Sequence, residues 1–390
     1  MVTIKLGDAC DILNGYAFKS SDYVENGIRV IRIANVQKGY IEDSAPAFYP
    51  LDYDGLDKYM LEENDLLISL TGNVGRVALL EKKFLPAALN QRVACLRLKT
   101  DKISKRYLFH ILNSDFFERQ CIFASNGVAQ KNMSTEWLKE FEIPLYEKEK
   151  QEKIVDILDK CRSIISCRSI EISKYDDLIK ARFVELFGDP VTNPYNLQTA
   201  TLGELSELIT KGASPSWQGF SYTEDSSQTL FVTSENVREG YIDLSSPKYI
   251  EDGFNEKQKR SIIHKGDFLI NIVGASIGRA AQFNLDCKAN MNQAAALVRI
   301  NDDRIRDKYL LIYLNSDKAQ MMYNSMKSDT GRANLSLQDI SNLAILLPSI
   351  DQQVEFETFV EQIDKSKVIV QKALDETQTL FDGLMQEYFG

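Results

Sequence analysis

The sequence predicts an α+β fold in which two globular α+β domains are separated by two long helices that form an antiparallel coiled coil. Three observations predict this fold. An internal repeat of about 200 residues divides the 390-residue chain into two similar halves related by a pseudo-twofold axis. Each half begins with short β-rich runs interrupted by Gly, Asn, Asp and Pro clusters. Each half ends in an apolar stripe with alternating steps of four and three residues.

The repeat keeps one register over much of its length. From Asn90 onward, matching residues lie 202 positions apart. Because chance similarity would not hold this register over about a hundred residues, the sequence contains a duplicated domain rather than solenoid units. The matched positions include Asp65–Ile68 with Asp267–Ile270, Asn90-Gln91 with Asn292-Gln293, Arg97 with Arg299, Asn132 and Ser134 with Asn334 and Ser336, and Phe187-Gly188 with Phe389-Gly390.

The first part of each half is predicted to be a globular domain, covering residues 1–146 and 199–348. Short runs rich in Val, Ile, Leu and Phe predict strands, and Tyr107–Asn113 predicts a helix between them. The predicted strand regions are Ile28–Val36, Leu66–Leu70, Val93–Leu98, Phe268–Val273 and Ala295–Ile300.

The second part of each half is predicted to be one long helix, at residues 147–188 and 349–390, with a linker at 189–198. A single amphipathic helix could carry such a stripe, but two helices of about 50 Å each bury both seams most simply against one another. Because the halves are consecutive, the pair is expected to be antiparallel. The seam residues are Ile154, Leu158, Ile165, Ile172, Ile179, Phe356, Val360, Ile363, Val370, Leu374 and Phe381.

The net charge of −10 is unevenly distributed. Residues 1–145 hold 18 basic and 19 acidic side chains, residues 191–346 hold 16 and 18, and residues 347–390 hold 3 and 9. The two domains are therefore close to neutral, so phosphate attraction alone would not hold them strongly on DNA. The absence of a long apolar run and of a signal-peptide pattern predicts a cytoplasmic protein.

Catalytic and metal-binding patterns are missing from the sequence. The two histidines do not recur between the halves, and the six scattered cysteines form no Cys-x-x-Cys pair and are expected to be buried free thiols. No nucleophile elbow, P-loop or dinucleotide-binding glycine motif occurs. We therefore predict a non-catalytic chain without a metal or a cofactor of its own.

Two glycine loops and two Asn-Gln pairs are the positions where the chain is best suited to approach a phosphate. Glycines after a strand also make tight turns without any ligand, so both interpretations remain open. The candidates for phosphate contact or scaffold are Gly72, Asn73, Arg76 and Asn90 in the first half and Gly274, Ser276, Arg279 and Asn292 in the second.

Along essentially its whole length the chain resembles the specificity (S) subunits of type I restriction–modification systems. The resemblance rests on Gly15–Ser20 leading to Ile31–Val36, the Asp-Leu-Leu-Ile…Gly…Gly-Arg segment at 65–76, Gly127…Asn132-Met133-Ser134, Ile143-Pro144-Leu145, Gln151–Val155 and Phe183–Pro190. Each motif alone is weak, but an ordered set that occurs twice is specific. Ser234-Glu235-Asn236 departs from the apolar run that is usual at that place.

The resemblance implies two target-recognition domains that each read one half of a bipartite site in double-stranded DNA, with the helix pair setting the spacing. It also implies two adenine-methyltransferase subunits that bind the helices and restriction subunits that join them. S-adenosylmethionine, ATP and Mg²⁺ would be held by these partners rather than by this chain. No membrane is implied.

The duplication separates shared residues from base-reading candidates. If the halves read different sequences, side chains common to both cannot carry the difference, so readers are sought at 19–27 against 213–230 and at 120–131 against 322–333. Arg332→Ala is expected to relax discrimination in one half-site only. The base-reading candidates are Lys19, Gln130, Lys131, Trp217, Gln218 and Arg332, chosen chiefly because Lys, Arg and Gln can bond base edges.

Two other classes of function remain as alternatives. A self-contained nuclease or methyltransferase would show activity from the purified chain with Mg²⁺ or S-adenosylmethionine. A structural coiled-coil protein with protein-binding ends would show no sequence-selective DNA binding, even with a methyltransferase present.

Overall fold

A computed structural model describes residues 2–125, 132–326 and 334–390. In the first half the strands and α-helices are, in chain order, β1 (Thr3–Lys5), α1 (Leu6–Ala9), β2 (Cys10–Asn14), β3 (Ile28–Ile31), β4 (Phe48–Tyr49), β5 (Leu66–Ser69), β6 (Val77–Leu79), β7 (Ala87–Leu89), β8 (Val93–Leu98), α2 (Lys105–Leu112), α3 (Asp115–Ser125), α4 (Thr135–Glu140), β9 (Glu142–Pro144) and α5 (Lys148–Phe187).

The second half repeats this order with small additions and without a helix at the position of α1. Its elements are β10 (Gln198–Thr201), β11 (Ser206–Lys211), α6 (Pro215–Gln218), β12 (Tyr222–Thr223), β13 (Thr229–Val232), β14 (Tyr249–Ile250), α7 (Gly253–Lys257), β15 (Phe268–Asn271), β16 (Ala280–Gln282), β17 (Ala289–Met291), β18 (Ala295–Ile300), α8 (Asp307–Asn315), α9 (Asp317–Met326), α10 (Leu337–Ser341), β19 (Ala344–Leu347) and α11 (Ile350–Phe389).

The sheets of the two halves have the same topology. In the first half a four-stranded antiparallel sheet has the order β2-β8-β5-β6, β3 pairs antiparallel with β4 and parallel with β7, and β1 pairs with β9. In the second half the four-stranded sheet has the order β11-β18-β15-β16, and β10 pairs with β19. Strand β13 pairs antiparallel with β14 and parallel with β17. Only β12, which pairs with β14, is an addition to the second half's sheets among the described residues.

The central strands are buried on both faces. Leu66 and Ile68 contribute to a hydrophobic cluster on one side of β5, and Leu67 contributes to a cluster on the other side. Strand β15 divides its side chains between two clusters in the same way. Because successive strand residues point to opposite faces, these strands have continuous apolar runs instead of an apolar–polar alternation.

The long helices are confirmed, and each contains 40 residues. All eleven predicted seam residues are buried or half-buried, although the coiled coil as a whole stays a prediction. Helix α5 ends at Phe187, where Gly188 follows with a φ of 74°, in the left-handed region that favours glycine. The α+β class is also confirmed.

The chain divides into two compact units, which are Met1–Ile170 with Val370–Gly390, and Glu171–Ile369. Each unit therefore contains part of both long helices. The predicted domain limits stay a prediction, since these units divide the chain inside the helices rather than at their ends.

Each unit uses the end of a helix from the other half of the sequence to complete its core. In the first unit Phe389 of α11 packs against Tyr107, with 5.6 Å between ring centroids. In the second unit Phe187 of α5 packs against Tyr309 and Phe356, at 5.0 and 5.4 Å. The aromatic residue that ends each long helix therefore anchors that end in a globular core.

Within the second unit the two helices run antiparallel. The Lys367 ammonium lies 2.6 Å from the Asp176 carboxylate, and the Arg182 guanidinium lies 2.6 Å from Glu355. As the residue number rises along α5, the number of its partner falls along α11. In the first unit Arg168 donates to the Ala373 carbonyl and to the Thr377 hydroxyl of α11.

The structure also shows the burial of the cysteines and of His110, and whether any helix could span a membrane. Four cysteines are buried thiols, whereas Cys167 and Cys287 are exposed. His110 is fully buried, and its Nε2 lies 2.9 Å from Asp159. In the described part of the chain, no helix combines the length and the apolar character that crossing a membrane requires.

Candidate nucleic-acid interface

The glycine loops follow β5 and β15. All four glycines adopt positive φ: Gly72 and Gly75 at 67° and 82°, Gly274 and Gly278 at 82° and 86°. A polar side chain at the end of each strand holds its loop. In the first half the Ser69 hydroxyl donates to the Asn73 carbonyl and accepts from the Arg76 amide at 3.0 Å.

In the second half Asn271 replaces this serine. Its side-chain amide donates to the Ser276 hydroxyl at 3.1 Å and to the Ser234 carbonyl at 2.9 Å. The corresponding loop is therefore held by a different side chain from the same strand position.

The second glycine of each loop is needed for packing. A Cβ atom at Gly75 would lie 2.7 Å from the Cβ atom of Cys121 on α3. A Cβ atom at Gly278 would clash with Tyr323 on α9. Both positions therefore require glycine because a helix passes against the loop, which is the structural interpretation of the motif.

The first glycine of each loop faces open space. Gly72 and Gly274 are exposed, and a Cβ atom at Gly274 would meet none of the described residues within 4 Å. At Gly72 the one described neighbour that a Cβ atom would meet is Ile33, at 3.3 Å. Because the positive φ favours glycine and no described residue covers the backbone closely, this part of each loop allows close approach by a ligand.

The Asn-x-Ser motifs lie beside the glycine loops. Thr71 forms an antiparallel bridge with Asn132, and Val273 forms the equivalent bridge with Asn334. Met133, the middle residue of the first motif, is held against the end of β5 because its backbone amide donates to the Leu70 carbonyl at 2.9 Å. Ser134 and Ser336 then cap α4 and α10.

These elements enclose a cleft of about 840 Å³ in the first unit. Among the described residues, its lining contains amide, hydroxyl and apolar side chains and one cation, Arg92, but no Asp or Glu. The lining residues are Asn14, Ile33, Leu70, Thr71, Gly72, Gln91, Arg92, Asn132, Met133, Ser134 and Thr135. In a chain of net charge −10, this composition favours an anionic ligand that also offers hydrogen-bonding groups.

Several residues shared by the halves have structural partners. Arg97 binds Asp65 through two parallel hydrogen bonds of 3.0 and 2.7 Å, and Arg299 binds Asp267 through two of 2.7 Å. Hydrogen bonding to Asp65 raises the pKa of Arg97 above its ordinary value. Arg76 donates to Gln37, which ties the first glycine loop to the segment after β3.

The shared asparagines shape the turns before β8 and β18. The Asn90 side chain accepts from the Arg92 amide at 3.2 Å, and the Asn292 side chain accepts from the Ala294 amide at 3.0 Å. These bonds favour the scaffold interpretation of Asn90 and Asn292.

The base-reading candidates that the structure describes, Lys19, Trp217 and Gln218, do not line this cleft. Lys19 is exposed before a short 3₁₀ turn, and Trp217 is 86% exposed on α6. The Gln218 carbonyl accepts from Lys257 at 2.8 Å. Gln130, Lys131 and Arg332 lie outside the described residues. The reading role of all six residues stays a prediction.

Sequence reasoning missed Arg92 and Asn14, which the fold brings into the cleft beside Gly72. A signal was present in the repeat. At an offset of 202, Arg92 matches Ala294, so a cation appears in one half only, immediately after a shared Asn-Gln pair. The counterpart of Asn14 in the second half could be found only from the strand register, because the sequence similarity between the halves is interrupted around Asn14.

The comparison with protein families decides the assignment. The model of the type I restriction modification DNA specificity domain matches residues 1–173 and 194–377, which is more than half of the chain. The chain belongs to this family. It is a specificity subunit, and it recognises DNA.

Similar proteins are found in a bacterium and an archaeon. The chain is 25% identical to the type I restriction enzyme EcoBI specificity subunit of Escherichia coli, over 99% of this chain and 85% of that protein. It is 31% identical to the MjaVIII specificity subunit of Methanocaldococcus jannaschii, over 43% and 41%.

Solved structures share the fold. The S subunit from M. genitalium has a TM-score of 0.52 at 16% identity, covering 100% of this chain and 96% of that one. A chain from a study of complex assembly and conformational transition of the type I R-M system has a TM-score of 0.62 at 17% identity, covering 100% and 97%.

Proposed function

We propose that each half of this specificity subunit reads one part of a bipartite site in double-stranded DNA through the face that carries its glycine loop. The cleft of the first unit carries this proposal, because it combines an open backbone at Gly72, exposed amides and hydroxyls, and Arg92 with no carboxylate among the described lining residues. Backbone amides and a cation contact phosphates, whereas Arg and Gln side chains also bond base edges.

The helix pair is proposed to set the distance between the two parts of the site. Each helix has 40 residues, which is about 60 Å at 1.5 Å per residue. Half-sites one DNA turn apart are separated by about 34–36 Å, so an antiparallel pair of this length is sufficient. The sequence repeat supports this proposal, because it provides two readers of one fold.

The chain is proposed to be non-catalytic and to bind two methyltransferase subunits along its helices, with restriction subunits joining them. Exposed apolar side chains on α5, such as Ile157 and Ile164 at 40% and 42% exposure, support a partner surface. Within residues 2–125, 132–326 and 334–390, no group of three or more His, Cys, Asp or Glu side chains could hold a metal ion.

S-adenosylmethionine, ATP and Mg²⁺ belong to the partner subunits in this proposal. The chain itself has no role in transferring the methyl group or cleaving DNA. The proposed compartment is the cytoplasm, where chromosomal DNA and these small molecules are found together.

The proposal is tested by selection from a random DNA pool, using the chain purified with its neighbouring methyltransferase and without it. We expect two short motifs separated by a fixed gap, with stronger enrichment when the methyltransferase is present. Failure to recover any motif in either sample would contradict the proposal and favour a protein-binding scaffold. Methyl transfer or DNA cleavage by the chain alone would contradict its non-catalytic role.

A further inference from the structure

The cleft of the first half can be compared residue by residue with the corresponding face of the second half, because a glycine fixes the same close approach in each. A Cβ atom at Gly15, which follows β2, would clash with the backbone of Asn90. A Cβ atom at Gly212, which follows β11, would clash with the backbone of Met291. The end of each strand therefore passes directly against the turn that carries the shared asparagine.

The strand registers identify the residues of the two halves that correspond at this position. Asn14 lies opposite Ala94 on β8, and Lys211 lies opposite Ala296 on β18. Since Ala94 and Ala296 are 202 residues apart, Asn14 and Lys211 occupy the same structural position.

The turns identify the second corresponding pair. The backbone amide of Arg92 is held by Asn90, and that of Ala294 is held by Asn292. The first half therefore has the Asn14 amide on its strand and the Arg92 cation on its turn. The second half has the Lys211 cation on its strand and the Ala294 methyl group on its turn. Each half has one cation at this pair of positions, but the first half carries it on the turn and the second half on the strand.

Neither cation is used by the fold. Arg92 and Lys211 are both exposed, and among the described residues neither side chain forms a hydrogen bond or an ion pair. By contrast, Arg97 and Arg299, on the neighbouring β8 and β18, are held by buried carboxylates. An exposed cation that the fold does not use can bind a ligand without first breaking an internal contact.

We propose that Arg92 in the first half and Lys211 in the second are specificity-determining residues, each contacting a base edge in its own half-site. This inference rests on the proposed function. The planar guanidinium of Arg92 presents two parallel donors that match the O6 and N7 acceptors of guanine, whereas the Lys211 ammonium bonds as a compact charge. Moving the cation from the turn to the strand changes the base pair that it reaches, which makes the two half-sites differ.

The test uses the full chain in complex with its methyltransferase and compares single variants by pool selection and by titration of single-base-substituted sites. Arg92→Ala is expected to reduce discrimination at one base pair of one half-site by about 10-fold to 100-fold and to leave the other half-site unchanged. Lys211→Asn is expected to act only on the other half-site. Lys58→Ala, which removes an exposed cation that does not line the cleft, is the control.

A double variant tests the effect of moving the cation from the turn to the strand. Arg92→Ala combined with Asn14→Lys gives these two positions of the first half the residue pattern of the second half, and the preferred base in the first half-site is expected to change. Arg92→Lys is expected to bind DNA but to discriminate less, because the ammonium lacks the two parallel donors that a planar guanidinium presents.

Two outcomes would overturn the inference. An equal loss on all sequences, with the salt dependence reduced by about one phosphate contact, would make Arg92 and Lys211 phosphate-binding residues. Unchanged selection in both variants would show that these side chains do not touch DNA. Failure of the unmodified complex to select any motif would contradict the proposed function instead, so the two failures are distinguishable.

Discussion

The two halves of the molecule agree in their buried polar contacts and differ in their exposed charges. Gln151 at the start of α5 accepts from the Ser104 amide at 2.9 Å, and Gln353 at the start of α11 accepts from the Arg306 amide at the same distance. Both glutamines are almost completely buried. A buried polar group needs all its partners, so duplication has preserved these contacts.

The surfaces around the helices have diverged. In the first unit Arg162 lines a cavity of about 490 Å³ and forms no ion pair within the described residues. The corresponding residue of the second unit, Asp364, lies 2.6 Å from Lys308. A shared frame with different exposed charges allows two similar domains to bind different sequences, and the following predictions test this division.

The largest expected effect concerns the aromatic residues that end the helices. Phe187→Ala is expected to destabilise the second unit by about 3–5 kcal/mol, because a fully buried ring that contacts three other rings is lost. Phe389→Ala is expected to destabilise the first unit by about 3 kcal/mol, because its ring is slightly exposed and contacts fewer rings.

Hydrogen exchange measured by mass spectrometry on peptides of each unit gives the loss of stability of the first unit and that of the second unit separately. The division into two cores would be contradicted if either substitution destabilised both units equally.

The second prediction tests what the halves share. Asp65→Ala and Asp267→Ala are each expected to destabilise their own unit by about 3 kcal/mol, since each leaves a guanidinium without its carboxylate. Chemical denaturation of both variants should give values within about 1 kcal/mol of each other. Asp54→Ala, at an exposed position, is the control. Clearly unequal losses would show that the shared frame is not energetically equivalent.

The sequence predicted the repeated α+β domains and the long helices because both depend on patterns along the chain. It predicted the glycine loops for the same reason, but it could not separate the packing role of Gly75 from the exposure of Gly72. That difference depends on α3, which approaches one glycine only. The cleft was not predicted, since its residues come from several strands and turns that only the tertiary fold brings together.

The third prediction concerns pH. Burial lowers the pKa of His110 below its ordinary value of 6.5, despite the hydrogen bond to Asp159 and with Arg106 and Arg162 nearby. Below that value the unfolded chain binds the proton more readily than the folded chain, so the first unit loses stability as pH falls through 6.5 toward the lowered pKa. The second unit has Ile312 at this position.

His110→Ile is therefore expected to make the pH dependence of the first unit's stability between about pH 7 and pH 5 shallower. Denaturation curves at several pH values, followed by hydrogen exchange in each unit, measure this change. An unaltered pH dependence in the variant would assign the effect to other groups.

The smallest expected effect concerns the shared arginines of the glycine loops. Arg76 is bonded to Gln37, whereas the second half has Arg238 at the position of Gln37, and Arg238 pairs with Asp243 at 3.2 Å. We expect Arg279→Ala to reduce the slope of log affinity against log salt by about 1, and Arg76→Ala to change it less. DNA titrations from low to moderate salt measure both slopes. Equal slopes would contradict this difference.

The central claim is that corresponding faces of the two halves contact different parts of one DNA site. A photo-crosslinking amino acid placed at Gln91 or at Gln293, both exposed beside the shared asparagines, tests it directly in the complex with the selected DNA. We predict that each position crosslinks to one half-site and that the two half-sites are different. Crosslinks from both positions to the same half-site, or from neither position to DNA, would contradict the account.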